Sequence, residues 1–234
     1  MEEFAGFRLI MGVNGTWMFV PGAFICALVY WIRFCHAPGS MAKSAVKTAS
    51  VLLLAVAAWV PWAPAGLVLA LCLCALGDFL LSRPGERAFM AGVGAFAAGH
   101  LAYVYVFLTH RLARPEALFD GVHLWVIAVL LAIGVVMAVV LWRRAGALRW
   151  AVLAYIPVIL SMAVAVLVLP GIGALNFAFF AAALFLISDL VLAFETFVWR
   201  TGSAAARVAP FVVWPTYWLA QFGFYLAFAG VPLK

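Results

Sequence analysis

Two aspartates lie inside runs that are otherwise apolar. One is in Leu71-Cys72-Leu73-Cys74-Ala75-Leu76-Gly77-Asp78-Phe79-Leu80-Leu81, the other in Leu184-Phe185-Leu186-Ile187-Ser188-Asp189-Leu190-Val191-Leu192. In each, a small residue, Asp, an apolar residue and then Leu or Val follow one another. A charged Asp at the centre of a bilayer helix costs roughly 2.5–3.5 kcal/mol on insertion scales, so it normally faces protein or water rather than lipid. Two such carboxyl groups, if they meet, supply a proton donor, a negative charge beside a developing cation, and a base for water. One must then hold its proton and the other stay ionised. Apolar burial and a nearby second carboxylate favour the protonated form, whereas a cation or hydrogen-bond donors favour the charged one. The plainer alternative is that each Asp only ties two helices together by a hydrogen bond.

The elements that must position this pair follow from composition. The chain has 234 residues, of which 69% are hydrophobic and 9% charged. A soluble domain is nearer to about half apolar and about a quarter charged. A polytopic membrane protein is expected, and in lipid only helices or a closed barrel satisfy the backbone. The apolar runs are long and do not alternate in polarity, which selects helices. The expected fold is all-α, a single transmembrane domain over 1–234 built as an eight-helix bundle. The spans are placed at about 16–34, 45–62, 65–82, 88–109, 122–142, 150–169, 174–198 and 210–230 from hydropathy and breakers. Pro61 and Pro64 bracket the second connection, and Pro170-Gly171-Ile172-Gly173 the sixth. The first 15 residues are too few to fold alone, and Met1-Glu2-Glu3 lacks the basic start of a cleaved signal peptide.

The net charge of +6 is not a nucleic-acid signal, because the basic residues lie singly or in pairs between apolar runs. Arg33, Lys43, Lys47, Arg83, Arg87, Arg143, Arg144, Arg149, Arg200 and Arg207 fall on one side, against Arg8, Arg111, Arg114 and Lys234 on the other. This asymmetry predicts the odd-numbered loops in the cytoplasm and both termini outside; the membrane expected is a bacterial inner membrane. Cys72 and Cys74 point to different sides of a helix, so neither a disulfide nor a metal pair is expected of them. Trp59, Trp62, Trp125, Trp142, Trp150 and Trp199 fall near span ends, as an aromatic belt would.

With this topology the third and seventh spans run inward and carry Asp78 and Asp189. The fourth and eighth run outward and carry His100 with Tyr103, and Tyr217 with Gln221. Tyr155 lies in the cytoplasmic half of the sixth, and Lys47 opens the second. These rare polar residues share one range of depth. Two Asp stretches four spans apart and running the same way suggest a four-plus-four parallel repeat about the membrane normal.

Leu76-Gly77-Asp78-Phe79-Leu80-Leu81, then Gly92, Phe96, His100 and Tyr103, then Gly173-Ala174 leading into Phe185-Leu186-Ile187-Ser188-Asp189, and finally Tyr217 with Gln221, resemble the YhhN family of integral-membrane proteins, which includes the lysoplasmalogenases. Val46-Lys47-Thr48 resembles the family lysine that opens the second span, with Thr48 where the family usually has Pro. The resemblance runs from about Lys47 to Phe228. It implies an eight-span ether hydrolase that needs no cofactor. Its substrate would be the vinyl ether of a single-chain lysoplasmalogen, split by water to a fatty aldehyde and glycerophosphoethanolamine or glycerophosphocholine.

Such a bond breaks when its outer alkene carbon is protonated, giving an oxocarbenium ion that water captures. Asp78 and Asp189 are the expected acid and base, in an order the residues leave open. Tyr103, Tyr217 and Gln221, with Tyr155 at similar depth, would orient water or the glycerol end, and Lys47 with Arg83 would hold the lipid phosphate. His100 is either an acid or base in its own right or a neutral group bonded to a neighbouring helix. A metal held by Asp78, Asp189 and His100 is set aside, since no His-x-x-x-His pair occurs and His36, His110 and His123 fall at loops or span ends. Activity that survives strong chelation is the expected result. Glu195 is expected to snorkel or to pair with a loop arginine. The reading from a different class is a proton-coupled transporter or a lipid-binding membrane protein, to which mid-membrane acids and a repeat also point.

Overall fold

The computed structural model describes residues 18–60 and 62–230. The expectations that fall on the first 15 residues, Arg8, Pro61 and Lys234 lie outside them. Eight helices follow in order: α1 Phe19–Val29, continued by a π-helical turn Tyr30–Phe34; α2 Met41–Ala57; α3 Ala65–Leu81; α4 Glu86–Leu108; α5 Gly121–Arg144; α6 Arg149–Ala165; α7 Asn176–Phe197; and α8 Ala204–Phe228. Short 3-10 turns join several of them, and no strand occurs among the described residues.

Three boundaries differ by four residues or more from those expected of hydropathy in α2 and α8. Helix α2 begins at Met41 rather than 45, because the Ser40 side chain accepts the Lys43 amide at 3.1 Å and caps the first turn. Helix α8 begins at Ala204 rather than 210, with Ser203 accepting the Ala206 amide at 3.2 Å. Its first turns, Ala-Ala-Ala-Arg, are helix formers too weakly apolar to read as a span. Helix α2 also stops at Ala57, five residues before the expected end.

Among the described residues, four helical stretches are long and apolar enough to cross a membrane: Glu86–Leu108, Gly121–Arg144, Gly146–Val168 and Gly173–Phe197. Helix α5 leaves Val122, Trp125, Val129, Val135 and Val139 exposed along its length, a surface that water would not favour. Trp59, Trp125 and Trp150 are exposed near helix ends.

Helix α8 is central and buried on several faces, through Trp214, Tyr217, Trp218, Gln221, Phe224 and Phe228. A helix apolar around most of its circumference belongs in the middle of a bundle. Its indoles lock it to its neighbours: Trp214 Nε1 donates to the Ala27 carbonyl at 2.9 Å and Trp218 Nε1 to that of Ser50 at 3.4 Å. The most extensive pairings are α3 with α4 and α7 with α8, whereas α6 touches α7 only sparsely.

The α3–α4 pair is close because glycine permits it. A Cβ on Gly77 would lie 2.6 Å from the Phe96 ring, and one on Gly92 2.7 Å from Leu81. Gly92 thus does serve close packing, whereas Gly94 faces open space. Gly77 is the residue before Asp78, so this contact sets the depth at which the carboxylate meets α4. Gly77→Ala is expected to cost about 1–3 kcal/mol by overpacking and to push the Phe96 ring toward the cavity described below. Thermal unfolding of the detergent-solubilised protein reads the first effect; an unchanged Tm would show that Phe96 yields freely.

Candidate active site

A cavity of about 390 Å³ opens between the helices at the end of the bundle where α3 and α7 finish and α2, α4, α6 and α8 start. Its lining follows helical spacing. Helix α8 contributes Pro210, Val213, Trp214 and Tyr217; α4 contributes Phe89, Val93 and Phe96; α7 contributes Asp189, Leu192, Ala193 and Thr196. Residues at i, i+3, i+4 and i+7 share one helix face, so each helix presents a single stripe to the same space. Asp78 and Asp189 both line it.

The two carboxyl groups have different company. Asp78 is fully buried, with its Oδ1 3.0 Å from the Lys47 ammonium and its Oδ2 accepting the Tyr217 hydroxyl at 2.7 Å. Lys47 stands 5.7 Å from the centre of the Trp214 ring and 5.9 Å from that of Tyr30, so its charge is held by aromatic faces as well. Tyr30 belongs to the π-helical end of α1 and packs on Trp214 with ring centres 4.2 Å apart.

Among the described residues, no lysine or arginine pairs with Asp189. Its Oδ2 accepts the Tyr155 hydroxyl at 2.6 Å and lies 4.0 Å from His100 Nε2. That separation is longer than a hydrogen bond. His100 Nδ1 is 2.7 Å from the Phe96 carbonyl oxygen, which can only accept, so Nδ1 carries a proton, and in the neutral ring Nε2 then carries the lone pair. Nε2 is buried and has no hydrogen-bond partner. A buried acceptor left facing a carboxyl group calls for a donor. A protonated Asp189 carboxyl, 4.0 Å away, is the neighbouring group able to supply one.

An aromatic partition adjoins both carboxyl sites, through Tyr217 at Asp78 and Phe185 at His100. Phe96, Phe185 and Tyr217 meet edge to face with centroids 5.4–6.4 Å apart, and Phe185 lies 4.4 Å from the His100 ring. A narrow apolar crevice of about 60 Å³ between α5, α6 and α7 shares Val152, Tyr155, Asp189 and Ala193 with the main cavity. It reaches Asp189 from the side of the bundle where α6 and α7 are sparsely packed.

Of the residues singled out from the sequence, Asp78, Asp189, Lys47, Tyr155 and Tyr217 line the cavity, and His100 sits directly behind Asp189. Tyr103 and Gln221 do not reach it. They lie further along the faces of α4 and α8, where the Tyr103 hydroxyl donates to Gln221 Oε1 at 2.5 Å among Phe107 and Phe224. Arg83 also lies outside the cavity lining. Its guanidinium donates to the Ser44 hydroxyl and, at 3.1 Å, to the Ser40 carbonyl, tying the end of α3 to the start of α2. Glu195 turns to the cavity mouth instead of to a loop arginine. Lys43 stands there too, though in sequence it looked like one more basic loop residue. Its spacing of four from Lys47 was the available signal, since it puts both ammonium groups on one face of α2. Among the described residues, no three His, Cys, Asp or Glu side chains group as metal ligands.

Among the described residues, an all-helical fold with four stretches long and apolar enough to cross a membrane, and two carboxyl groups on one cavity, defines the class: a helical bundle with an internal polar site. The chain belongs to the YhhN family, whose model matches residues 42–228. Neither a curated protein nor a solved structure matches it.

Proposed function

We propose that the protein is a lysoplasmalogenase that crosses the membrane eight times. The observation that carries this reading is the placing of a cation-paired carboxylate, Asp78, and a cation-free carboxyl group, Asp189, on the same cavity. The substrate class proposed, a lysoplasmalogen with an ethanolamine or choline headgroup, follows the resemblance of the motifs to the lysoplasmalogenases, and membership of the YhhN family supports it.

In this mechanism Asp189 is the acid and Asp78 the base. Asp189 gives its proton to the outer alkene carbon, and the adjoining carbon shares its positive charge with the ether oxygen. Asp78 offsets that charge and takes a proton from the water that adds there, giving a hemiacetal. Asp78 then returns its proton to the departing glycerol oxygen while Asp189 recovers one from the hemiacetal hydroxyl. The C–O bond breaks, a fatty aldehyde and a glycerophosphodiester leave, and both carboxyls are back where they started. Tyr155 and His100 hold Asp189 in place; Lys47 and Tyr217 hold Asp78.

The reaction class suits the site. An oxocarbenium-like transition state gains from a fixed negative charge in a poorly solvated cavity. The scissile bond lies between headgroup and tail, so both arms of the lipid must leave the carboxyl pair. The mouth with Lys43 and Glu195 accommodates the polar arm, and the apolar flank formed by Phe89, Val93 and Val152 accommodates the other.

The deciding experiment is release of aldehyde from lysoplasmenyl-ethanolamine by purified protein in detergent. A hydrolase works there without a gradient. A carrier releases nothing, and that result would overturn the proposal. The same assay with strong chelator present is expected to show undiminished rate. The repeat is supported by the matching α3–α4 and α7–α8 pairings. The proposed orientation, in a bacterial inner membrane, puts the cavity mouth among the basic loops on the cytoplasmic side. A reporter fused after Lys234 should read as external; a cytoplasmic signal would refute that topology.

A further inference from the structure

With Asp78 and Lys47 neutralising one another, and Asp189 set as the acid, one cation and one anion remain among the described residues that line the cavity. The cation is Lys43. Its ammonium donates to the Ala37 carbonyl at 2.8 Å and to that of Cys35 at 3.5 Å, which leaves one of its three N–H groups unspent. The anion is Glu195. Among the described residues it makes no hydrogen bond and no ion pair within 4 Å, although it is half-buried and lines the same cavity. Among the described residues, the cationic and titratable groups that bear on it are His36, Lys43 and Lys47.

We infer that Lys43 and Glu195 form a receptor for a zwitterionic phosphodiester headgroup, with Lys43 taking the phosphate and Glu195 the amine. The inference rests on the lipid-hydrolase reading of this cavity and adds what selects the lipid. Lys47 is the less suitable phosphate ligand, since its ammonium is already on Asp78. Glu195 lies six residues beyond Asp189 on α7, about 9 Å along the axis. That is comparable to the reach of the phosphoethanolamine arm from the ether oxygen. A mouth built for a simple anion would gain nothing from a carboxylate there, because it would repel the phosphate.

The test uses binding, so that it does not depend on turnover. The full-length protein in detergent is titrated with two non-hydrolysable saturated ethers, 1-O-hexadecyl-glycerophosphoethanolamine and its counterpart bearing phosphoethanol, which keeps the phosphate and lacks the amine. Wild type is expected to prefer the amine-bearing lipid. In Glu195→Gln that preference should fall about tenfold, the lower range for a hydrogen bond to a charged group at a half-exposed site. Lys43→Met should weaken both lipids by a similar factor and leave the preference standing. A folded Glu195→Gln protein that keeps the wild-type preference overturns the assignment, as does a wild type with no preference. Aldehyde release separates the two proposals. Headgroup preference without hydrolysis removes the enzyme and leaves the receptor; hydrolysis with an unmoved preference does the reverse.

Discussion

Asp189→Asn is expected to abolish aldehyde release, by about 10³-fold or more for loss of a general acid, while the protein unfolds at nearly the wild-type temperature. The second half of that expectation comes from the hydrogen bonds around the side chain. Asn has the shape of Asp, an oxygen to accept the Tyr155 hydroxyl, and an NH₂ to donate to the orphaned His100 Nε2. The neutral amide therefore satisfies both neighbours as the protonated carboxyl does, and it leaves no buried charge. It cannot release a proton to carbon. Aldehyde release and thermal unfolding on the same preparation test both halves. An active Asp189→Asn enzyme would remove this residue from proton transfer. An inactive but strongly destabilised one would mean that Asp189 is ionised in the resting state, with Asn failing to replace a charge.

This contrast could not be drawn from the sequence, although the pair itself could. Asp78 and Asp189 stand out because each interrupts an apolar helix, and Lys47, Tyr155 and Tyr217 because they lie at matching depth. Depth along a helix follows from residue number. Rotation about its axis does not, and neither does the choice of partner. Tyr103 and Gln221 have a suitable depth range and chemistry, but they satisfy one another in the core beyond the partition of Phe96, Phe185 and Tyr217. Arg83 has the charge to hold a phosphate, but the capped start of α2 offers it Ser40 and Ser44 first. Lys43 and Glu195 read as ordinary span-end charges for the opposite reason. A charge near the end of a span is ordinarily a solvated anchor, and only the packing of α2 against α1 and α8 turns these two into a cavity mouth. The helices themselves were legible apart from their capped starts, where a serine rather than hydrophobicity decides the first turn.

The other large effect is expected at Lys47. Lys47→Met removes the cation from a fully buried Asp78 and leaves its Oδ1 with nothing but apolar surroundings. Breaking one side of a buried ion pair typically costs about 3–5 kcal/mol, so Tm should fall by on the order of 10 °C for a chain of this size. Asp78→Asn should cost less. The stranded charge is then the Lys47 ammonium, which lines the open cavity, keeps the Tyr30 and Trp214 faces, and can be hydrated there. Combining the two, Lys47→Met with Asp78→Asn, removes both charges and should restore most of the lost Tm, because a buried pair replaced as a unit is often neutral or stabilising. All three variants are expected to release no aldehyde. The cycle therefore separates the two duties of Asp78. If the double variant regains stability without activity, the carboxylate is needed for the reaction and not for the fold. If it regains activity as well, no negative charge at this position takes part in the chemistry, and the base must be sought elsewhere on the cavity wall.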